Sequence, residues 1–310
     1  MILFKNFKHY FKNTKNIILL FLILGIILID KINYKSKLKI CLCVIGKNEN
    51  LYAREFVEHY KKIGYNNIFI YDNNEKNAEN FEEAINDYLK NRYVKIINYR
   101  DRKIDSRPQF DAYRDCYERY YKSYDWISFF DMDEFLELNK KYNSIQDFLN
   151  DKIFENCQSI KINWLMCNNE NALYYENKTL QERIRNCNYN DFANKHIKTI
   201  VKGNLFENYW KKVNNPHTSI LKLKSCSSSG KIIQYDSPFN YPPDFINAQL
   251  KHYQFKSFEE YCLKIKRGFG DHPKNESNEF VIQNYQKLKF ENKNNKEKLK
   301  IIDKIFNKSI

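Results

Sequence analysis

WISFFDMDEFLEL, residues 126–138, is the stretch from which the rest of the chain is best read. Its largely apolar start, Trp126–Phe130, reads as a strand buried on both faces. It runs directly into Asp131-Met132-Asp133, with Glu134 next. In extended backbone, residues i and i+2 point to the same side. Asp131 and Asp133 are therefore expected to converge at the carboxyl end of a central strand, where open α/β sheets bind ligands. Two hard oxygen ligands with open positions suit Mg2+ or Mn2+ held partly by a ligand's phosphates. The plainer reading is that the three acids cap the next element and stay solvated, and Glu134 in particular can be structural.

Upstream, strand and helix alternate. Residues 38–45 read as a buried strand, and Ala53, Phe56, Val57, Tyr60 and Ile63 follow at helical spacing with Gly64 as a C-cap. A second strand, 68–71, ends at Asp72-Asn73-Asn74. A helix carrying Phe81, Ala84, Ile85, Tyr88 and Leu89 comes next, then a third strand over 94–97 and a helix over 109–122. This is the pattern of a mostly parallel sheet covered by helices on both faces. Downstream the signal weakens to a short helix over 144–149 capped by Ser144, a strand over 159–164, and Asn-rich loops over 168–195 and 203–217. Helical spacing returns over 255–265, and one or two helices are expected in 279–307. No internal repeat is visible.

The 310 residues carry a formal net charge of +14, but residues 1–39 contribute +7 and 286–310 contribute +5, leaving +2 on the body. A nucleic-acid groove needs its charge on the folded body, so a polynucleotide partner is not expected. Ile17–Ile29 is an unbroken apolar run flanked by lysines. It is short for a spanning helix, yet lysine stems at either side can snorkel to the interfaces. A membrane anchor is expected there, with a buried helix and a cleaved signal as alternatives. The eight cysteines form no CxxC pair, and Cys41 and Cys43 alternate on one strand face. A reduced protein with its catalytic domain on the cytoplasmic side is the expectation. The triplets at Asn177, Asn275 and Asn307 do not decide the compartment.

Several residues are candidates for chemistry. Lys47-Asn48-Glu49 follows the first strand, where backbone N–H groups at a helix start can meet a phosphate. Neither GxxxxGK[ST] nor GxGxxG occurs, against a Walker ATPase or the usual dinucleotide fold. Asp72 and Asn73 face the same crevice and suit a base or ribose, or simply a turn. His252 suits a metal or general acid–base role, though a lone histidine is more often structural. Lys256, Lys264, Lys266 and Arg267 suit a pyrophosphate, or an ordinary solvated basic helix. No HExxH or GxSxG is present.

The ordered blocks ICLCVIGKNEN (40–50), YAREFVEHYKKIGYNNIFIYDNN (52–74), QFDAYRDCYERY (109–120), WISFFDMDEF (126–135), NWLM (163–166), HIKTIV (196–201) and LKHYQFKSFEEYCLKIKRG (250–268) resemble glycosyltransferase family 92 and related family-2-like enzymes. The resemblance covers roughly residues 38–270. It implies a GT-A fold, a nucleotide-sugar donor, a divalent metal and inversion at the anomeric carbon. It places Asp131 and Asp133 in the metal-binding DxD motif, and Lys47, Asn48, Glu49 and Asp72 on the donor-nucleotide side. Gln109 falls in the helix before the DxD strand, and His252 closes the site from the carboxyl-terminal half. Arg114 and Cys167-Asn168-Asn169 depart from the family pattern, and the second departure leaves the acceptor open.

The reading is then an α/β, GT-A-type, mostly parallel (mixed) sheet flanked by helices and preceded by an N-terminal hydrophobic helix. Its parts are a basic anchor segment over 1–35, a catalytic domain over 36–275 and a Lys/Asn-rich helical extension over 276–310. The expected activity is metal-dependent transfer of a sugar, a hexose by expectation, from a nucleotide-sugar to a saccharide or lipid-linked glycan. Asp244, Glu259 and Asp271 are the carboxylates available as a base. The competing readings are a metal-dependent phosphotransferase or phosphohydrolase, and a catalytically degenerate membrane-associated interaction protein.

Overall fold

The structure is a computed structural model and describes residues 37–100, 108–169, 171–205, 217, 223–234, 237–267 and 274–306. The first four strands are β1 (Ile40–Gly46), β2 (Asn67–Asp72), β3 (Val94–Asn98) and β4 (Trp126–Phe129). All of their mutual pairings are parallel, in the order β4-β1-β2-β3. Helices α1 (Asn50–Lys62), α2 (Phe81–Lys90) and α3 (Pro108–Tyr120) connect them. The apolar spacing that defines α1 buries Tyr52, Ala53, Phe56, Val57 and Tyr60. The alternation of β1 sends Ile40, Leu42 and Val44 into one core, with Phe56, and Cys41 and Cys43 into a second, with Tyr113 and Tyr117 of α3.

Beyond residue 130 the sheet becomes mixed. β5 (Glu134–Leu138) is followed by α4 (Ile145–Leu149), β6 (Ser159–Cys167), α5 (Leu180–Arg183), β7 (Cys187–Asn188), a 3-10 turn at Phe192–Lys195, β8 (Ile197–Lys202), β9 (Ser225–Ser227), β10 (Ile232–Ile233) and β11 (Ala248–His252). β8 lies antiparallel between β4 and β6. The long strand β6 also belongs to a second small sheet, in which β11 runs parallel to β6 and antiparallel to β5. β6 thus curls the main sheet around the end of β4. The segment 168–195, expected as loop, holds α5, β7 and the 3-10 turn, and most of 203–217 lies outside the described residues. Three helices follow, α6 (Phe258–Arg267), α7 (Lys274–Glu291) and α8 (Lys296–Phe306). Phe258, Cys262 and Ile265 of α6 share a core with Leu288 of α7 and with Ile301, Ile302, Ile305 and Phe306 of α8.

Two expectations are corrected. Six cysteines pair as Cys43–Cys116, Cys157–Cys226 and Cys167–Cys187, whereas Cys41 and Cys262 are buried and free. The reduced reading fails because the partners come together only in the fold, across 73, 69 and 20 residues, which linear spacing does not reveal. Disulfides of this kind persist where the surroundings are oxidising. The second correction concerns the membrane-anchored, cytoplasm-facing placement, which does not stand. Among the described residues no helix is long and apolar enough to cross a membrane. The stretch 17–29, on which the N-terminal hydrophobic helix was expected, lies outside the described residues.

Candidate active site

The carboxyl ends of β1 and β4 set the floor of the site. β4 stops at Phe129, and the chain turns, with Glu134 N–H donating to the Asp131 carbonyl at 3.1 Å. The two aspartates are therefore not held in extended i, i+2 register. The turn aims them at different partners.

Asp131 is gripped from two sides. The Tyr113 hydroxyl donates to its Oδ1 at 2.9 Å, the Lys198 ammonium at 2.7 Å, and the Gln109 amide also donates to it. Gln109 and Tyr113 lie one turn apart on α3, so one helix face supplies both. Lys198 is fully buried on β8. Burial works against the charged carboxylate, but Lys198 holds Asp131 below the ordinary range. Glu134 lies beneath. It is fully buried, accepts from the Asp131 N–H at 2.8 Å, and has Oε1 without a hydrogen bond, 3.9 Å from the Lys198 ammonium. Burial pushes its carboxyl well above the ordinary value, which favours the neutral form.

Asp133 faces the other way. Its Oδ2 takes the Lys264 ammonium of α6 at 2.6 Å, and its Oδ1 stands 3.6 Å from His252 Nε2. Burial opposes its charge, yet Lys264 and then His252 hold it well below the usual carboxylate range. His252 reaches this point because β11 pairs with β5, and the Tyr253 N–H donates to the Asp133 carbonyl at 2.9 Å. The imidazole is 5% exposed, packs 4.2 Å from the Trp164 ring, and leaves Nδ1 buried without a partner.

The loop after β1 forms the facing wall. Asn48 has a φ of 53°, and its N–H donates to Asn74 Oδ1 at 2.7 Å. Glu49 is buried and takes Lys256 and, at 2.8 Å, Arg267. Arg267 also donates to the Lys47 carbonyl, and Lys256 lies 3.8 Å over the Tyr52 ring. Four basic side chains from the second half of the chain, Lys198, Lys256, Lys264 and Arg267, thus meet acids of the first half. An incoming anion at this point can compete with the carboxylates for these cations.

The remaining candidates fall elsewhere. Asp72 is buried, but Arg100 holds its Oδ2 at 2.7 Å and the Asn74 N–H its Oδ1 at 3.0 Å. Asn73 follows it, with its N–H on the Gly46 carbonyl. Lys47 pairs with Glu75 at 2.8 Å. Asp244 is saturated by the hydroxyls of Ser227, Ser228 and Ser229 and by the N–H groups of Ser229 and Ile246. Glu259 accepts from the Tyr175 N–H at 3.4 Å and from Lys304 at 3.5 Å. Asp271 lies outside the described residues. Lys266 donates to the Ile305 carbonyl. Sequence reasoning missed Lys198, Tyr113 and Trp164. The signal for Lys198 was a lysine inside the apolar strand HIKTIV, where an ammonium needs a buried partner.

Among the described residues no group of three or more His, Cys, Asp or Glu side chains converges as a metal cage. Asp133 and His252 are a pair of buried donors side by side, with Oδ1 and Nε2 3.6 Å apart. That set fits a cation whose other positions belong to ligand oxygens and water. Asp131 takes its three donors on Oδ1.

The model of the family described as glycosyltransferase family 92 matches residues 36–300. A glycosyltransferase family 92 protein of Oryza sativa subsp. japonica is 31% identical over 109 residues, which are 35% of this chain and 18% of that protein. The chain thus matches under a fifth of the length of this relative. Among solved structures, S. aureus TarS is 10% identical over 78% of this chain and 42% of its own, with a TM-score of 0.40. Its fragment 1–349 in complex with UDP-GlcNAc is 12% identical over 43% of this chain and 36% of its own, with a TM-score of 0.32.

Proposed function

The chain belongs to glycosyltransferase family 92, and from that premise we propose that it moves a sugar from a nucleotide-sugar donor to a saccharide acceptor by an inverting displacement. The observation that carries the reading is the convergence of Asp133, His252 and Lys264 at the end of β4, opposite Glu49, Lys256 and Arg267. A sugar transfer of this class breaks the bond between the anomeric carbon and a diphosphate oxygen, so negative charge grows on the departing nucleoside diphosphate. Lys264, Lys256 and Arg267 are positioned to exchange a carboxylate for those oxygens, in a partly dry site where fixed charges act strongly.

Asp133 and His252 are the residues that would hold Mg2+ or Mn2+, and a divalent ion bound there supplies further charge stabilisation to the leaving diphosphate. Asp131 plays a different part. Held by Gln109, Tyr113 and Lys198, it fixes the turn from which Asp133 projects and presents its remaining face to the donor.

The test is calorimetric titration of the full chain with UDP-, GDP- and dTDP-sugars, first with Mn2+ and then with chelator. One donor is expected to bind, and to bind at least tenfold more weakly once the metal is removed. Binding that chelator leaves unchanged would remove the metal from the reading, and a folded protein that binds no donor would remove the activity.

A further inference from the structure

Helix α6 carries an acid beside its donor-site cations. Glu260 lies one turn before Lys264, the spacing at which a glutamate ordinarily pairs with the lysine that follows it. Here the two go separate ways. Lys264 reaches Asp133, and Glu260 is taken by Arg183 of α5, with Nη1 3.0 Å from Oε2 and Nη2 3.4 Å from Oε1. The pair is well inside the protein: the Arg183 side chain is 3% exposed and that of Glu260 12%. The Ser257 hydroxyl donates to Glu260 Oε2 at 2.7 Å and accepts from the Glu260 N–H at 3.3 Å. The plain reading of these bonds is a cap on the start of α6.

Arg183 is fixed more firmly than a cap requires. Its Nη2 also donates to the Tyr52 hydroxyl at 3.0 Å, and the ring of that tyrosine carries the Lys256 ammonium at 3.8 Å. The guanidinium stands 5.1 Å from the centre of the Tyr175 ring. The N–H groups of Leu180 and Gln181 tie α5 to the Glu55 carboxylate of α1, at 2.8 and 3.2 Å. The Cys167–Cys187 bridge closes the segment that holds α5. The last donor, Arg183 Nε, is buried with no hydrogen-bond partner, which costs stability. Capping α6 needs only the serine that is already there. A forked cation anchored this way suits a second task, fixing where the Glu260 charge points.

We propose that Arg183 is a positioning residue for diphosphate binding: it holds the Glu260 carboxylate away from Lys264 and so leaves that ammonium to Asp133 and to an incoming diphosphate. The inference rests on the transferase reading and adds to it a residue that touches neither donor nor metal. The chemistry is competition between anions. Without Arg183, a carboxylate that is 12% exposed has lost its ion pair, and a buried charge in that state is costly until it meets another cation. Lys264 is four residues further along α6, and Lys256 is four residues before. A lysine neutralised by Glu260 has less attraction left for phosphate oxygens. The loss therefore falls on anion affinity, and it depends on the Glu260 charge.

The experiment titrates the full chain with inorganic pyrophosphate by calorimetry, in wild type, in Arg183→Met and in Arg183→Met/Glu260→Gln. Arg183→Met should weaken pyrophosphate binding tenfold or more. Adding Glu260→Gln should bring the affinity back to within threefold of wild type, because the competing charge is gone. A merely structural Arg183 gives no such rescue, since the second substitution only removes a further partner. Thermal midpoints are read alongside: both variants should melt below wild type, so that affinity recovers where stability does not. If Arg183→Met fails to fold, Arg183→Gln carries the same comparison. Unchanged affinity on losing Arg183, a loss that Glu260→Gln leaves in place, or a wild type without affinity for pyrophosphate overturns the proposal. Titrations of the same proteins with UDP-, GDP- and dTDP-sugars and Mn2+ separate the two readings. Rescue of pyrophosphate binding in a chain that binds no nucleotide-sugar sinks the transferase and keeps the role of Arg183. Donor and pyrophosphate affinities that are alike in every variant sink only that role.

Discussion

The two halves of the sheet contribute to the site in opposite ways. In the parallel half, β1 to β4, polar side chains are mostly paired locally: Asp72 with Arg100, Lys47 with Glu75, Asn48 with Asn74. In the mixed half, β5 to β11 and the helix α6 that follows, the cations reach across to acids of the other half: Lys198 to Asp131, Lys264 to Asp133, Lys256 and Arg267 to Glu49. One half builds a floor and the other supplies charge. Asp131 and Asp133 stand at the seam, the first tied into the floor, the second facing the charge.

The largest expected effect tests that division. Asp133→Asn should weaken metal-dependent donor binding on the order of a hundredfold, since it removes one of two candidate protein ligands, whereas His252→Ala should act in the same direction and Asp131→Asn should act chiefly on stability. Calorimetry with and without Mn2+ reads the first two, and urea unfolding the third. Equal loss of metal dependence in the Asp131 and Asp133 variants would erase the distinction between them.

Next in size is the buried ammonium. Lys198→Ala should cost about 3 kcal/mol of unfolding free energy, because removing one partner of a buried pair leaves the other uncompensated. Lys198→Met, which keeps the stem, should cost less. A loss under 1 kcal/mol for both would mean that Asp131 is held by α3 alone. Comparable in size is Cys157→Ser, which should cost about 2–4 kcal/mol by freeing a long loop in the unfolded chain, and a reductant should cost wild type more than the substitution does, because it opens the Cys43–Cys116 and Cys167–Cys187 bridges as well.

The parallel half was legible in the sequence because each element carried its own period: β1 alternated, α1 repeated at helical spacing, and Phe129 led into Asp131. The mixed half was not. β11 is a five-residue strand, AQLKH, whose burial comes from β5 on one side and β6 on the other, so nothing local announces it. The same applies to the base candidates. Asp244 looked available in the sequence because its three serine donors, 227–229, are remote in the chain. The expected i, i+2 convergence of the aspartates failed for a local reason: the turn between Asp131 and Glu134 replaces extended backbone.

A smaller effect has opposite signs on the two sides of the seam. Asp133 has a depressed carboxyl, so the stability that it contributes is present above the ordinary aspartate value of about 3.9 and is lost as pH falls through its folded value. Glu134 has a raised one, so its contribution is present below about 4.3 and is lost as pH rises through its folded value. Glu134→Gln should remove that second, alkaline-going loss, leaving the variant relatively more stable at neutral than at acid pH. A pH series of urea midpoints checks the slope, and an unchanged slope would mean that Glu134 is ionised in the folded protein.

The smallest effect is expected at Glu259. This carboxylate lies on α6, the helix that delivers Lys264 and Arg267, so its place alone does not distinguish a catalytic group from a scaffold. Its partners do. It accepts from the Tyr175 N–H and from Lys304 of α8, and so it ties α6 to neighbouring segments, not to the donor site. Glu259→Gln keeps the acceptor oxygen that Tyr175 needs and gives up one weak surface ion pair, for which the usual cost is about 0–1 kcal/mol. Once a donor and acceptor are in hand, its turnover should stay within twofold of wild type at every pH between 5 and 9. A loss of a hundredfold or more, deepest at the acid end where a base must be ionised, would instead put the deprotonating group on α6 and carry the chemistry wholly into the mixed half.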